Sequence, residues 1–153
     1  MVGLSETRRP GSSETKRKDF TYYCSGMSNA HHDKEIAIGI SSRLKPFVTP
    51  EYERILQIRL NHRLGFMFVA VYAPIEMCET EEKEMFYVKV DSVLDQCPCC
   101  DALIVLGDFD AVTSIERAGC DLCVGPHGFG TRNNNSSSIQ DLARSRRLII
   151  ALS

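Results

Sequence analysis

The chain reads as an α/β protein built on mixed sheets. Three observations point there. Short apolar runs bounded by turn residues fill the first half, one later segment switches to a helical period, and an apolar strand follows that segment directly.

Taken in order, Val2 to Ser5 (VGLS) ends a strand, and the following RRPGSSETKRK reads as a polar loop. Ile36 to Ile40 (IAIGI), Arg54 to Leu60 (RILQIRL) and Phe66 to Tyr72 (FMFVAVY) are short, β-rich runs, the second alternating apolar and polar positions. Asn61-His62-Arg63-Leu64-Gly65 links the last two as a hairpin. From Thr80 to Gln96 the period becomes helical, with Met85, Val88 and Leu94, joined by Tyr87 and Val93, on one face and Glu81, Glu82, Lys83 and Lys89 on the other. Pro98 stops this helix, because its ring cannot continue one. The strand Leu103 to Leu106 (LIVL) comes next. Beyond Asp110 the segment GCDLCVGPHGFGTRNNNSSS reads as a long surface loop, and loops of that length in small domains usually serve function. Ser138 to Arg147 suits a short helix with cations in its last turn, and Leu148 to Leu152 begins another strand.

The chain has 153 residues, 43% of them hydrophobic and 25% charged, which suits one globular domain over residues 1–153, or part of a larger one, rather than a disordered tail. A net charge of -2 exerts no global pull on polyanions, so nucleic-acid binding has to come from the local clusters Arg8-Arg9, Lys16-Arg17-Lys18 and Arg144-Ser145-Arg146-Arg147. The charged N-terminus lacks the apolar core of a secretory signal, so the chain is expected to stay inside the cell. Its most apolar run, Phe66 to Pro74, is far shorter than the ~18 residues of a membrane span, so no membrane role is expected. The seven cysteines form an odd set, which in such a chain predicts reduced thiols. Cys97, Cys99, Cys120 and Cys123 also offer four soft ligands of the kind a tetrahedral zinc needs, which keeps a zinc module open as an alternative.

Four short segments carry candidate chemistry: Leu4-Ser5-Glu6-Thr7, Val71-Tyr72-Ala73-Pro74, Gly107-Asp108-Phe109-Asp110, and Gly125 to Asn133 (GPHGFGTRN). Each enters or leaves a predicted strand end. Singly, each has an ordinary reading: Glu6 as a solvated acid, Tyr72 as a sheet residue with its hydroxyl in water, Gly107-Asp108 as a turn. As a set they differ, since strand tips on one sheet edge converge and can bring an acid, a phenol and further acids around one metal ion.

Together LSETRRP, VYAP, GDFD followed by Ala-Val-Thr, and GPHGFGTRN resemble the endonuclease/exonuclease/phosphatase family, whose fold is shared by deoxyribonuclease I and abasic-site endonucleases. The similarity is greatest to the endonuclease domains of LINE-type retrotransposons and the craniofacial development protein 2-like proteins related to them, from about Val2 to Ser153. It implies two mixed β-sheets packed as a sandwich with flanking helices, here incomplete at both ends. The activity it implies is Mg²⁺-dependent cleavage of phosphodiester bonds in nucleic acid, DNA being the expected partner and the nucleus the expected location.

Within the resemblance Glu6 matches a metal-ligand glutamate, Tyr72 a tyrosine beside the scissile phosphate, and Asp108 an aspartate that positions or activates the attacking water. Arg132 and Asn133 are the substrate-binding candidates. Asp110 is the third catalytic candidate and a departure, because the family has asparagine there. An amide donates a hydrogen bond to phosphate, whereas an ionised carboxylate only accepts. The family's distal histidine segment has no counterpart, and none of His31, His32, His62 and His127 matches it. Loss of one positioned group typically costs ~10²–10⁴ in rate. The resemblance therefore implies a nuclease-like chain of retrotransposon origin whose activity is weakened or lost by truncation. A non-catalytic interaction protein and the zinc module are the alternatives.

Overall fold

A computed structural model describes residues 2–5, 13–25, 36–41, 46–52, 54–60, 65–112, 123–124, 131 and 133–151. The elements run β1 (Val2–Ser5), β2 (Ser13–Lys16), β3 (Phe20–Ser25), β4 (Ile36–Ser41), β5 (Pro46–Tyr52), β6 (Ile55–Leu60), β7 (Phe66–Tyr72), α1 (Thr80–Leu94), β8 (Ala102–Asp108) and α2 (Asn134–Arg146). The fold is the α/β class expected: among the described residues, a sandwich of two four-stranded sheets ordered β1-β4-β3-β2 and β5-β6-β7-β8. The chain divides into two compact units: Met1–Ala73 with Ser92–Asp108, and Pro74–Asp91 with Phe109–Ser153.

In the first unit the alternation of β4, β6 and β7 builds the core. Ile36, Ile38 and Ile40 from one sheet meet Leu56, Ile58, Phe68 and Ala70 from the other, with Tyr23, Leu60, Phe66 and Tyr72 packed around them. Odd positions of β7 are also buried, with Met67, Val69 and Val71 essentially inaccessible, so this strand is apolar on both faces. That is why FMFVAVY is a continuous apolar run. The first sheet is antiparallel throughout, and the parallel pairing that makes the architecture mixed is the β7–β8 ladder. A parallel neighbour needs a long crossover, which α1 supplies.

Three strands fall outside the sequence-based expectations. β2 lies within RRPGSSETKRK, which was expected to be a polar loop; it is a polar, exposed edge strand held by pairing with β3. β3 (FTYYCS) opens with four aromatic or β-branched residues, which favour a pleated surface. β5 carries Pro46 and Pro50, which argue against a central strand, and it is an edge strand, where a missing N–H disrupts no ladder on the outer side. Around Leu148 to Leu152, where a strand is expected, the described residues form a single parallel bridge, Val124 to Ile150.

Both expected helices are present, with corrections. On α1 the buried residues are Lys83, Phe86, Val90, Val93 and Leu94, while Met85 and Val88 are exposed. Apolar side chains occur on both sides of this helix, so hydrophobicity alone selects the wrong stripe. α2 begins at Asn134 rather than Ser138. Asn133 caps it: its side chain accepts from Ser136 N at 2.9 Å, and Ser136 Oγ accepts from Asn133 N at 3.1 Å. The Asn-Ser run read as loop is therefore the helix's first turn.

Candidate functional site

In the first unit, β7 and β8 run parallel with Tyr72 opposite Asp108, the last residues of their strands. Directly opposed residues in a sheet project to one face, so phenol and carboxylate start as neighbours although the chain separates them by an entire helix. Tyr72 is half-buried against the sandwich core and Asp108 is exposed. The ladder continues one step past the strands, with Ala73 N donating to Asp108 O at 2.9 Å, which fixes the backbone of both tips. β1 is the strand of the first sheet that lies against β8. Glu6 follows β1 directly and lies outside the described residues.

Gly107 explains the spelling of the motif. Its φ is +150°, and a Cβ built there would stand 1.9 Å from the carbonyl oxygen of Val71. Only glycine permits that approach and that dihedral. The strand-tip acid is thus presented by a backbone conformation that requires the preceding glycine.

In the second unit, Asp110 has a left-handed backbone (φ 46°), which aspartate and asparagine tolerate better than most residues. Its Oδ2 accepts from the backbone N–H of Glu76 at 2.5 Å. Its carbonyl accepts from Asn133 Nδ2 at 2.8 Å and from Asn135 Nδ2 at 3.4 Å. Asn135, fully buried, also donates through Nδ2 to Pro74 O at 2.8 Å. Asn133 Oδ1 further accepts from Val112 N at 3.4 Å. Asp110 and Asn133 therefore sit in one network, both joined to it by internal hydrogen bonds. Arg132 lies outside the described residues.

Glu76, Lys83 and Tyr87 complete this network, and none of them is among the site residues expected from the sequence. The Glu76 carboxylate accepts from Asn134 N and Asn135 N, both at 3.3 Å, where the first turn of α2 offers unpaired N–H groups and a partial positive charge. Burial works against the Glu76 charge, but those N–H donors and the Lys83 ammonium prevail and hold its carboxyl below the usual carboxylate value. Lys83 is buried because its ammonium donates to Glu76 O and lies 3.8 Å from Glu76 Oε1. Tyr87 OH donates to Asn135 O at 3.4 Å, and burial, with Glu76 adding, pushes its phenol well up. The position of Glu76 two residues after Pro74 in YAPIE was the signal available.

Of the basic clusters, Lys16, Arg17 and Lys18 are exposed. Arg144 pairs with Asp141 at 2.9 Å and Arg146 with Asp91 at 2.7 Å, so two of the α2 cations are partly neutralised. Arg8, Arg9, the four histidines and Cys120 lie outside the described residues. Among the described residues, no group of three or more His, Cys, Asp or Glu is gathered in a way that could hold a metal ion.

These features define a class first: an α/β sandwich with a phenol and a carboxylate side by side at the tips of parallel strands, the usual location of ligand sites in such sheets. The chain is then similar to craniofacial development protein 2 of Tragulus javanicus, 26% identical over 157 residues that cover 99% of this chain and 26% of that protein. It is equally similar to craniofacial development protein 2 of Bos taurus, 26% identical over 156 residues, covering 98% of this chain and 26% of that protein. The chain thus spans about a quarter of the length of these relatives. No protein-family profile and no solved structure matches it.

Proposed function

We propose that this chain is a nuclease-like domain whose target is a phosphodiester bond in DNA, with activity weakened relative to the family it resembles. The observation that supports it is the register of Tyr72 with Asp108 at the tips of parallel strands. Asp108 is an exposed acceptor that can orient a water and take its proton, and Tyr72 is a donor for a phosphate oxygen. Carboxylate oxygens of Asp108 and Glu6 have the hard-donor chemistry that Mg²⁺ prefers; the cation, when bound, would supply charge neutralisation at the phosphate. The exposed Lys16-Arg17-Lys18 run is the proposed contact for the DNA backbone, and a nuclear location follows from the same resemblance.

Asp110 supports the weakening. Its carboxylate is already an acceptor for Glu76 N and offers phosphate no hydrogen-bond donor, where the resembled family has an amide. The same commitment of Asp110 and Asn133 to internal bonds favours a second reading, a non-catalytic interaction protein. Nicking of supercoiled plasmid decides between them. Weak Mg²⁺-dependent nicking that disappears in Asp108→Ala and rises about tenfold or more in Asp110→Asn is expected, given the ~10² or more that a positioned donor supplies. Nicking no greater than in a metal-free control for both the parent chain and Asp110→Asn would refute the nuclease proposal and leave the interaction protein.

A further inference from the structure

One sequence motif takes no part in the strand-tip chemistry: the run Cys97-Pro98-Cys99-Cys100, between α1 and β8. The backbone there reverses in two tight steps. Cys97 N donates to Leu94 O at 3.0 Å, and Asp101 N donates to Pro98 O at 2.9 Å, so Cys99 and Cys100 are the central residues of a β-turn. Cys97 is half-buried, Cys99 and Cys100 are exposed, and all three are free thiols. The turn is anchored on one side. Asp101, with a side chain only 3% exposed, accepts from Arg59 Nε at 2.8 Å. Cys100 Sγ lies 3.7 Å from Asp101 Oδ1, against the carboxylate that Arg59 holds, and Cys97 Sγ lies 3.7 Å from Pro98 O inside the same run.

We propose that Cys97 and Cys100 are a redox pair that closes to a disulfide, a C-x-x-C modification site whose oxidant is a low-molecular-weight disulfide. The exposed thiol acts first. Cys100 loses its proton and attacks one sulfur of the small disulfide, forming a mixed disulfide and expelling one small thiolate. Cys97 then loses its proton and attacks the Cys100 sulfur, expelling the second small thiolate. The two cysteines give up two electrons and two protons, and the small disulfide is reduced to two thiols. Burial, with Asp101 adding and Arg59 opposing, pushes the Cys97 thiol up, which suits it to the second, intramolecular step. Cys99 is not the partner of Cys100, because a bond between adjacent cysteines needs a distorted ring, which the three-residue spacing of Cys97 and Cys100 avoids.

This inference is independent of the nuclease proposal. The test uses the whole reduced chain, treated with oxidised glutathione, digested with trypsin and weighed. One tryptic peptide, residues 90–117, holds Cys97, Cys99 and Cys100 and no other cysteine. The expected result is a peptide lighter by two hydrogens with one thiol left to alkylate. That closure persists in Cys99→Ser and is lost in Cys97→Ser and Cys100→Ser. A peptide unchanged in mass, one carrying only glutathione adducts, or closure that survives Cys97→Ser would overturn the proposal.

Discussion

Gly107 and Asp110 bracket the strand-tip acid, and each is constrained by a group far away in sequence. For Gly107 that group is the Val71 carbonyl, 1.9 Å from where a Cβ would stand. Gly107→Ala forces both an unfavourable dihedral and a movement of β7, so a loss of about 2–4 kcal/mol is expected, read as a lower urea midpoint with unchanged slope. A loss below ~1 kcal/mol would mean that the β7–β8 ladder yields more easily than its close contact implies. The requirement for glycine was legible only as part of the GDF motif, and its cause was not. The same holds for Asp110. Its departure from asparagine stands in the sequence, but its partner is a backbone N–H, that of Glu76, and backbone donors carry no sequence signature.

Helix α1 shows where pattern reading succeeds and where it fails. Its bounds were legible from the change of period and from Pro98, but its buried face was not, because Met85 and Val88 mimic a core stripe. Phe86 is 5% exposed and Met85 58%. Adjacent truncations should therefore differ sharply. Phe86→Ala is expected to cost about 3–5 kcal/mol and Met85→Ala under ~0.5 kcal/mol, both read by chemical denaturation. Equal costs would reject this orientation of the helix. Lys83 misled in the opposite sense: a cation was assigned to the solvated face, yet Glu76 holds it inside. The pairing that buries it joins a loop to a helix and is invisible to periodicity.

For the whole molecule, the network around Glu76 predicts a pH dependence of stability. Its carboxyl is held below the ordinary value of 4.5, so the folded state binds the proton more weakly than the unfolded chain does. The stabilisation is present above that ordinary value and is lost as the pH falls through the folded one. Tyr87 acts at the other end. Burial raises its phenol above 10, so stability is fully present below that pH and declines as the pH rises beyond it. Urea midpoints measured across pH should fall on both flanks, and Glu76→Gln should flatten the acid flank alone. An unchanged acid flank would assign it to other carboxylates. At this scale the α/β class was legible because strands with two buried faces and the crossover helix are both written in local pattern. The edge strands β2 and β5, and β3 paired between β2 and β4, were less so, because strand pairing defines them more than local pattern does.

The parallel register of Tyr72 and Asp108 also has a kinetic consequence. The two residues lie thirty-six positions apart, and nothing local holds them together before α1 has formed and β8 has docked on β7. Loop closure of that kind is charged before its contacts repay it, so such pairings belong to the slow end of folding. A chain emerging from denaturant would regain helix and hairpins early, while its phenol and carboxylate met only at the end. The proposed chemistry thus reports on completion of the sandwich, and partially folded forms would be silent in any assay that depends on both groups.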